Sequence, residues 1–370
     1  MFELSDAAWV TLIGFAGGTV LGLAARLARF CTLGAIEDAL YGGTRERLLM
    51  WPLALGVAIA ATFTLAALDQ AAIETSVYLR FEASIAASVI GGLMFGVGMA
   101  IAGNCGFGAL VRVGGGDFRS AMIVVAIGIT AYMTAVGPLS QLRLWLFPRV
   151  TGASLEDSGI AFWVQGTTGI PPLATALLIA AALLACAVSN RRFLRNRSAV
   201  FWSVMVGLAI TSAWWGTTYI ARQSFDPIPV ESHTFTMPLG ETILQAMTAT
   251  RVEGGFSIGS VLGVLFGAFV GAATKRQFRW EACDDPGELR RQLTGAMLMG
   301  SGGVIALGCS VGQAMSAMSV LAISAPITAL SILIGAILGL RYLVEGRRSL
   351  GRLITPVLRA PKAIRQILGF

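Results

Sequence analysis

Charged residues are scarce in this sequence. Asp, Glu, Lys and Arg make up 13% of its 370 residues, about half the share that a water-soluble surface requires. Histidine is nearly absent, with His233 standing alone, and neither a paired-histidine motif nor a buried acid or histidine relay lies within the apolar blocks. Obvious proton coupling is therefore not expected. No GxxxxGK[ST] phosphate loop occurs, which argues against direct nucleotide hydrolysis by this chain. The five cysteines are an odd number without a shared pair spacing, and several fall inside apolar blocks, so a disulfide framework is not expected. The first residues, Met1 to Ala8, include Glu3 and Asp6 and lack a basic segment, which reads as no cleavable signal peptide.

What fills the chain is hydrophobic, 55% by count, in solid blocks of the length that crosses a bilayer core as a helix. A transmembrane barrel would alternate polar and apolar residues instead. The blocks lie near Ala8–Ala28, Leu48–Leu68, Ser84–Gly103, Ser120–Leu139, Leu173–Ser189, Ala199–Tyr219, Gly255–Ala273, Gly295–Gly308 and Ala325–Tyr342. The eighth is short for a crossing. The expected class is an all-α polytopic membrane protein with about nine transmembrane helices, short re-entrant helices and an imperfect internal repeat. Residues 1–344 read as one integral membrane transport domain, and residues 345–370 as a basic amphipathic tail lying on the inner leaflet.

The formal charge is +7, and it belongs to the loops between spans. All but five of the 27 basic residues fall on one side if alternate loops, beginning after the first span, share a face. The exceptions are Arg80, Arg143, Arg149, Arg222 and Arg251. The positive-inside rule then puts the N-terminus outside and the C-terminus in the cytoplasm of a bacterial inner membrane, and a nucleic-acid partner is not implied. Two longer outer loops, Gln141–Pro172 and Ile220–Glu253, hold six prolines and His233, which reads as a solvated side chain.

Gly14, Gly18 and Gly22 recur every four residues, as do Gly255, Gly259, Gly263, Gly267 and Gly271. Such spacing makes a smooth helix groove that lets a second backbone approach closely. Three cysteines share a second pattern. Cys31-Thr32-Leu33-Gly34, Cys105-Gly106-Phe107-Gly108 and Cys309-Ser310-Val311-Gly312 each follow a glycine-bearing apolar segment and precede a stretch too short to span. Cys186 and Cys283 lack the pattern. Irregular backbone at membrane depth is tolerated where it lines a cavity, and helix N-termini there favour anions. A neutral thiol adds a soft, weak donor with little desolvation cost. The candidate translocation residues are Cys31, Cys105, Cys309, Gly34, Gly108, Gly312, Asn104 and Gln313. The last two either donate to a passing anion or satisfy the carbonyls of a broken helix. Arg112 reads as a marker of the cytoplasmic rim, and Glu37 and Asp38 as interfacial.

The segments RLARFCTLGAIEDAL, GMAIAGNCGFGALVRVGGGDFRS and GGVIALGCSVGQAMSAMSVLAISAP resemble the YeeE/YedE family of inner-membrane proteins. The resemblance covers roughly Gly14–Leu139 and Gly255–Leu340, and leaves residues 141–253 unmatched. It implies uptake of thiosulfate or a related sulfur anion, carried past Cys31, Cys105 and Cys309 by transient S–H···S hydrogen bonds. It also implies a cytoplasmic sulfur-accepting partner, and neither a cofactor nor a metal is expected.

Two other functions remain open. A permease for copper(I) or another soft ion would use the three cysteines with Met94, Met99, Met297, Met299, Met315 and Met318. A membrane sulfurtransferase would use Cys105 as nucleophile, but no neighbouring base is visible to activate it.

Overall fold

The computed structural model describes residues 5–80, 84–148, 155–248, 254–281 and 285–345. Cys283 and the tail after Glu345 lie outside them. The first half begins with α1 (Asp6–Leu27), α2 (Thr32–Leu40), α3 (Glu46–Ala67), α4 (Val77–Arg80), α5 (Ile85–Ala102), α6 (Gly106–Gly114) and α7 (Phe118–Ala135). The middle holds α8 (Leu139–Leu146), α9 (Leu155–Ser158), α10 (Ile160–Thr168), α11 (Pro172–Val188), α12 (Arg191–Arg195) and α13 (Arg197–Gln223). The chain then forms α14 (Met237–Met247), α15 (Phe256–Thr274), α16 (Pro286–Ile305), a π-helical turn (Gly312–Ala317) and α17 (Ser324–Glu345). No strand occurs among the described residues.

Each apolar block of the sequence lies in a helix. Seven helical segments are long and apolar enough to cross a membrane. The other two blocks fall in α11, of 17 residues, and α16, of 20 residues. Helix α16 starts earlier than its apolar block because Asp285 caps it, accepting from the Gly287 N–H at 2.8 Å, and its polar first turns carry Glu288, Arg290 and Arg291. Side-chain caps at Ser5, Ser84 and Asp117 likewise fix the starts of α1, α5 and α7, each satisfying an N–H that the helix leaves open. Exposed Trp145, Trp163, Trp215 and Trp280 suit the lipid and interfacial surface of such a bundle.

The two glycine stripes pack on each other. Cβ atoms placed at Gly14, Gly18 and Gly22 of α1 would strike the backbone of Phe256, Ser260 and Val264 on α15. Those at Gly259, Gly263 and Gly267 would strike Thr11, Phe15 and Thr19 on α1. The helices run parallel, backbone to backbone. Helix α5 is gripped the same way on two sides, with Gly91 and Gly98 against α16, and Gly92 and Gly96 against α17. At one end of this scaffold Lys275 Nζ donates to the Leu27 carbonyl at 2.8 Å, and Arg119 approaches Asp117, Glu281 and Glu288. At the other end the segment 224–236 lies beside the start of α1, sharing a cleft with Asp6.

Candidate functional site

Three times the chain repeats one device: a long helix ends, a cysteine starts a short helical segment, and another long helix follows. Cys31 is the N-cap of α2 and Cys105 that of α6, while Cys309 precedes the helical turns from Ser310 onward. The shared geometry extends one step further back. The residue two positions before each cysteine has left-handed backbone, with φ of 58° at Arg29, 74° at Gly103 and 62° at Leu307. That conformation ends the preceding helix and turns the cysteine onto the next.

The glycine three residues on has a different task at each site. At Cys105 and Cys309 its N–H donates to the sulfur, Gly108 to Cys105 at 3.2 Å and Gly312 to Cys309 at 3.3 Å. A Cβ at Gly108 would also lie 3.4 Å from Cys105 Sγ and 3.7 Å from Cys31 Sγ, so the two thiols flank it. A Cβ at Gly312 would strike the Thr234 hydroxyl, and one at Gly34 the Arg47 guanidinium. Arg47 in turn pairs with Asp38 at 3.0 Å, which spends the Asp38 charge locally.

The three segments converge. Thr32, beside Cys31, donates its hydroxyl to Ser310, beside Cys309, at 3.0 Å. Phe235 bridges the other pair. Its N–H donates to Cys309 Sγ at 3.3 Å, its carbonyl faces Gly106, and its ring packs tilted against Phe107 with centroids 5.1 Å apart. Cys105 and Cys309 are buried, Cys31 is partly exposed, and Cys186 is exposed on α11. Asn104 is buried in the break before Cys105. Gln313 donates its amide to the Ala306 carbonyl at 2.8 Å, tying down the end of α16. Its Oε1 is buried with no partner. Arg112 is exposed at the C-terminal end of α6.

Sequence motifs did not reach the segment that holds Cys309 in place. Thr234 lies 3.8 Å from Cys309 Sγ through its hydroxyl, and the Ser316 hydroxyl donates to the His233 carbonyl at 2.6 Å. His233 corrects the expectation of a solvated side chain. It is fully buried, with Nδ1 2.6 Å from the Ser260 hydroxyl and its ring filling the space left by Gly17. Only a bare helix face could admit the ring, and that complementarity lies in another part of the chain. Of the methionines, Met99, Met299 and Met315 are buried, whereas Met297 is half exposed. Among the described residues no three His, Cys, Asp or Glu side chains are grouped to hold a metal ion.

A cavity of about 260 Å³ opens beside this cluster, with Gly308, the residue before Cys309, on its wall. Tyr78, Thr234 and Arg143 line it as well. Arg143 is held by donation to the Thr134 and Ala135 carbonyls at 3.1 and 3.2 Å.

The family described as "Sulphur transport" matches residues 27–338, including the middle region that the cysteine motifs leave out. A protein named thiosulfate transporter TsuA from Spirochaeta thermophila is 26% identical over 266 residues, covering 68% of this chain and 76% of the relative. Another of that name from Escherichia coli is 26% identical over 334 residues, covering 82% and 86%. The chain thus belongs to the YeeE/YedE family of sulphur transport proteins.

Proposed function

We propose that this protein carries thiosulfate or a similar sulfur-containing anion inward across the bacterial inner membrane, past Cys309, Cys105 and Cys31 in that order. The observation that carries the reading is the convergence of three cysteine-led segments on one buried point. Backbone N–H groups donate to the sulfurs of Cys105 and Cys309, and Cys105 is within hydrogen-bond reach of Cys31, so an S–H can turn from a neighbouring group to a passing sulfur or oxygen. The N-termini of α2 and α6 add positive potential. Such contacts are weak, and weak contacts at successive sites let an ion enter and leave. The relatives' names, both thiosulfate transporters, support this substrate.

The distribution of basic residues supports an orientation with the Lys275 end in the cytoplasm and the 224–236 segment outside. A sulfur-accepting protein on the cytoplasmic side would keep the inward gradient favourable. The test is uptake of labelled thiosulfate by proteoliposomes containing this protein alone. Cys105→Ala should abolish it and Cys31→Ala and Cys309→Ala should weaken it strongly, while Cys186→Ala leaves it intact. Wild-type uptake by all three alanine variants at normal protein levels would refute the thiol relay.

A further inference from the structure

The cavity beside Cys309 contains charge of the wrong sign for an anion. Glu231, from the segment before α14, and Glu241, on α14, both line it, and both carboxyls reach the hydroxyl of Ser257 on the first turn of α15. A hydroxyl has one proton to give, so it can satisfy one carboxylate and not two. Two ionised carboxylates sharing that partner repel each other, and a proton bound to the pair removes the conflict. With both ionised, they outweigh the single positive charge of Arg143 in the cavity; with one proton on them, the wall is neutral.

A second feature marks the cavity as made for a ligand. Thr236 lines it, is 2% exposed, and its hydroxyl has no hydrogen-bond partner. A Cβ at Gly303, on the same wall, would lie 2.6 Å from that oxygen, so the hydroxyl packs against the Gly303 backbone beside the cavity. A buried hydroxyl without a partner costs free energy, and a turn of the Thr236 side chain toward an oxyanion in the cavity would relieve it. The volume is enough for a small anion with several waters, each needing roughly 30 Å³.

We propose that this cavity is the loading site for the anion and that the Glu231–Glu241 pair must hold a proton for it to load, so that substrate capture is proton-linked. The inference rests on the transport reading above and adds the coupling that the spans themselves do not supply: the acids come from a loop and a short helix outside the long apolar helices. Other charged groups face Glu231 from its far side. Arg80 and Arg222 share one cleft with it, Arg222 being engaged by Asp69 at 2.7 Å, and Asp6 and Asp226 share another. Within the cavity Tyr78 and Arg143 are the remaining titratable groups among the described residues. Burial first, then the charge of Glu241, pushes the Glu231 carboxyl up to about 8. Burial raises Glu241 as well. A raised carboxyl keeps its proton below that pH and loses it above, so capture is strong in neutral and acidic solution and weakens in alkali.

The experiment is equilibrium binding of labelled thiosulfate to the purified protein from about pH 6 to about pH 9. One linked proton makes the affinity fall by up to tenfold per pH unit above a break near pH 8. Glu231→Gln, which mimics the protonated acid, should remove the break. Glu241→Gln, which leaves one carboxylate opposite Arg143, should likewise keep the affinity high through about pH 9. A wild-type affinity that is flat across this range, or a break unchanged in Glu231→Gln, overturns the proposal. Infrared difference spectra of wild type against Glu231→Gln read the same proton without substrate. A carboxylic-acid carbonyl band present at neutral pH and lost in alkali supports the proposal. Its absence at neutral pH overturns it even if thiosulfate is bound, and failure of thiosulfate to bind with the band present overturns the substrate reading instead.

Discussion

A methyl group at Gly108 would meet the sulfurs of Cys105 and Cys31 at 3.4 and 3.7 Å, ordinary contact distances at which nothing has to move. Within a helix alanine is favoured over glycine by roughly 0.5–1 kcal/mol. Gly108→Ala should therefore fold with undiminished thermal stability and yet slow thiosulfate uptake, since the methyl sits between two thiols. Unchanged uptake in proteoliposomes would show that the anion does not pass there. His233 presents the opposite case, a residue whose loss acts through structure. His233→Ala empties a buried space and unpairs Ser260, at a cost of about 3 kcal/mol by analogy with large-to-small core changes. It also loosens the segment whose Phe235 N–H holds Cys309. A lowered melting temperature is the expected reading, and an unaltered one would show that the ring does not anchor the segment. Sequence alone placed this histidine in water because nothing local records its burial. The space that receives it is Gly17, on a helix far away along the chain.

The three helix breaks were legible in part. Cys-x-x-Gly spacing located all of them, and the length of the apolar blocks located the helices on either side. The left-handed residue two places before each cysteine was not legible, because only Gly103 announces it; Arg29 and Leu307 adopt the same turn without being glycine. Side chains in that conformation cost about 1–2 kcal/mol. A Cβ at Gly103 would meet nothing within 4 Å, so Gly103→Ala should cost that backbone amount alone, readable as a lower denaturation midpoint. Gly263→Ala should cost more, because a Cβ there runs into the Phe15 carbonyl and must part α1 from α15. If the two variants melt alike, the close approach of these helices is not what stabilises them. The start of α16 escaped the sequence for a plainer reason: its first turns are charged, and hydropathy saw only its apolar second half.

On the scale of the whole molecule, the charge count predicts one orientation that labelling can check. Asp226 and Gln277 are exposed at opposite ends. In a Cys186→Ala background, an impermeant thiol reagent added to intact cells should modify Asp226→Cys and leave Gln277→Cys untouched; the reverse pattern would invert the protein in the membrane. The middle of the chain, which the cysteine motifs left without a role, supplies Thr234 and Phe235 to the centre, so the site is complete only when distant segments are assembled. The pairing of α1 with α15 sets the schedule for that assembly. The first helix enters the bilayer while its partner is still unsynthesised, and at about 5–20 residues per second it waits roughly 10–50 s for α15 to emerge. Throughout that interval a bare stripe of glycine backbone faces lipid or whatever protein guides insertion. The native bundle is therefore closed late, by its fifteenth helix, and a nascent chain arrested before Phe256 should leave α1 unclasped and open to proteolysis.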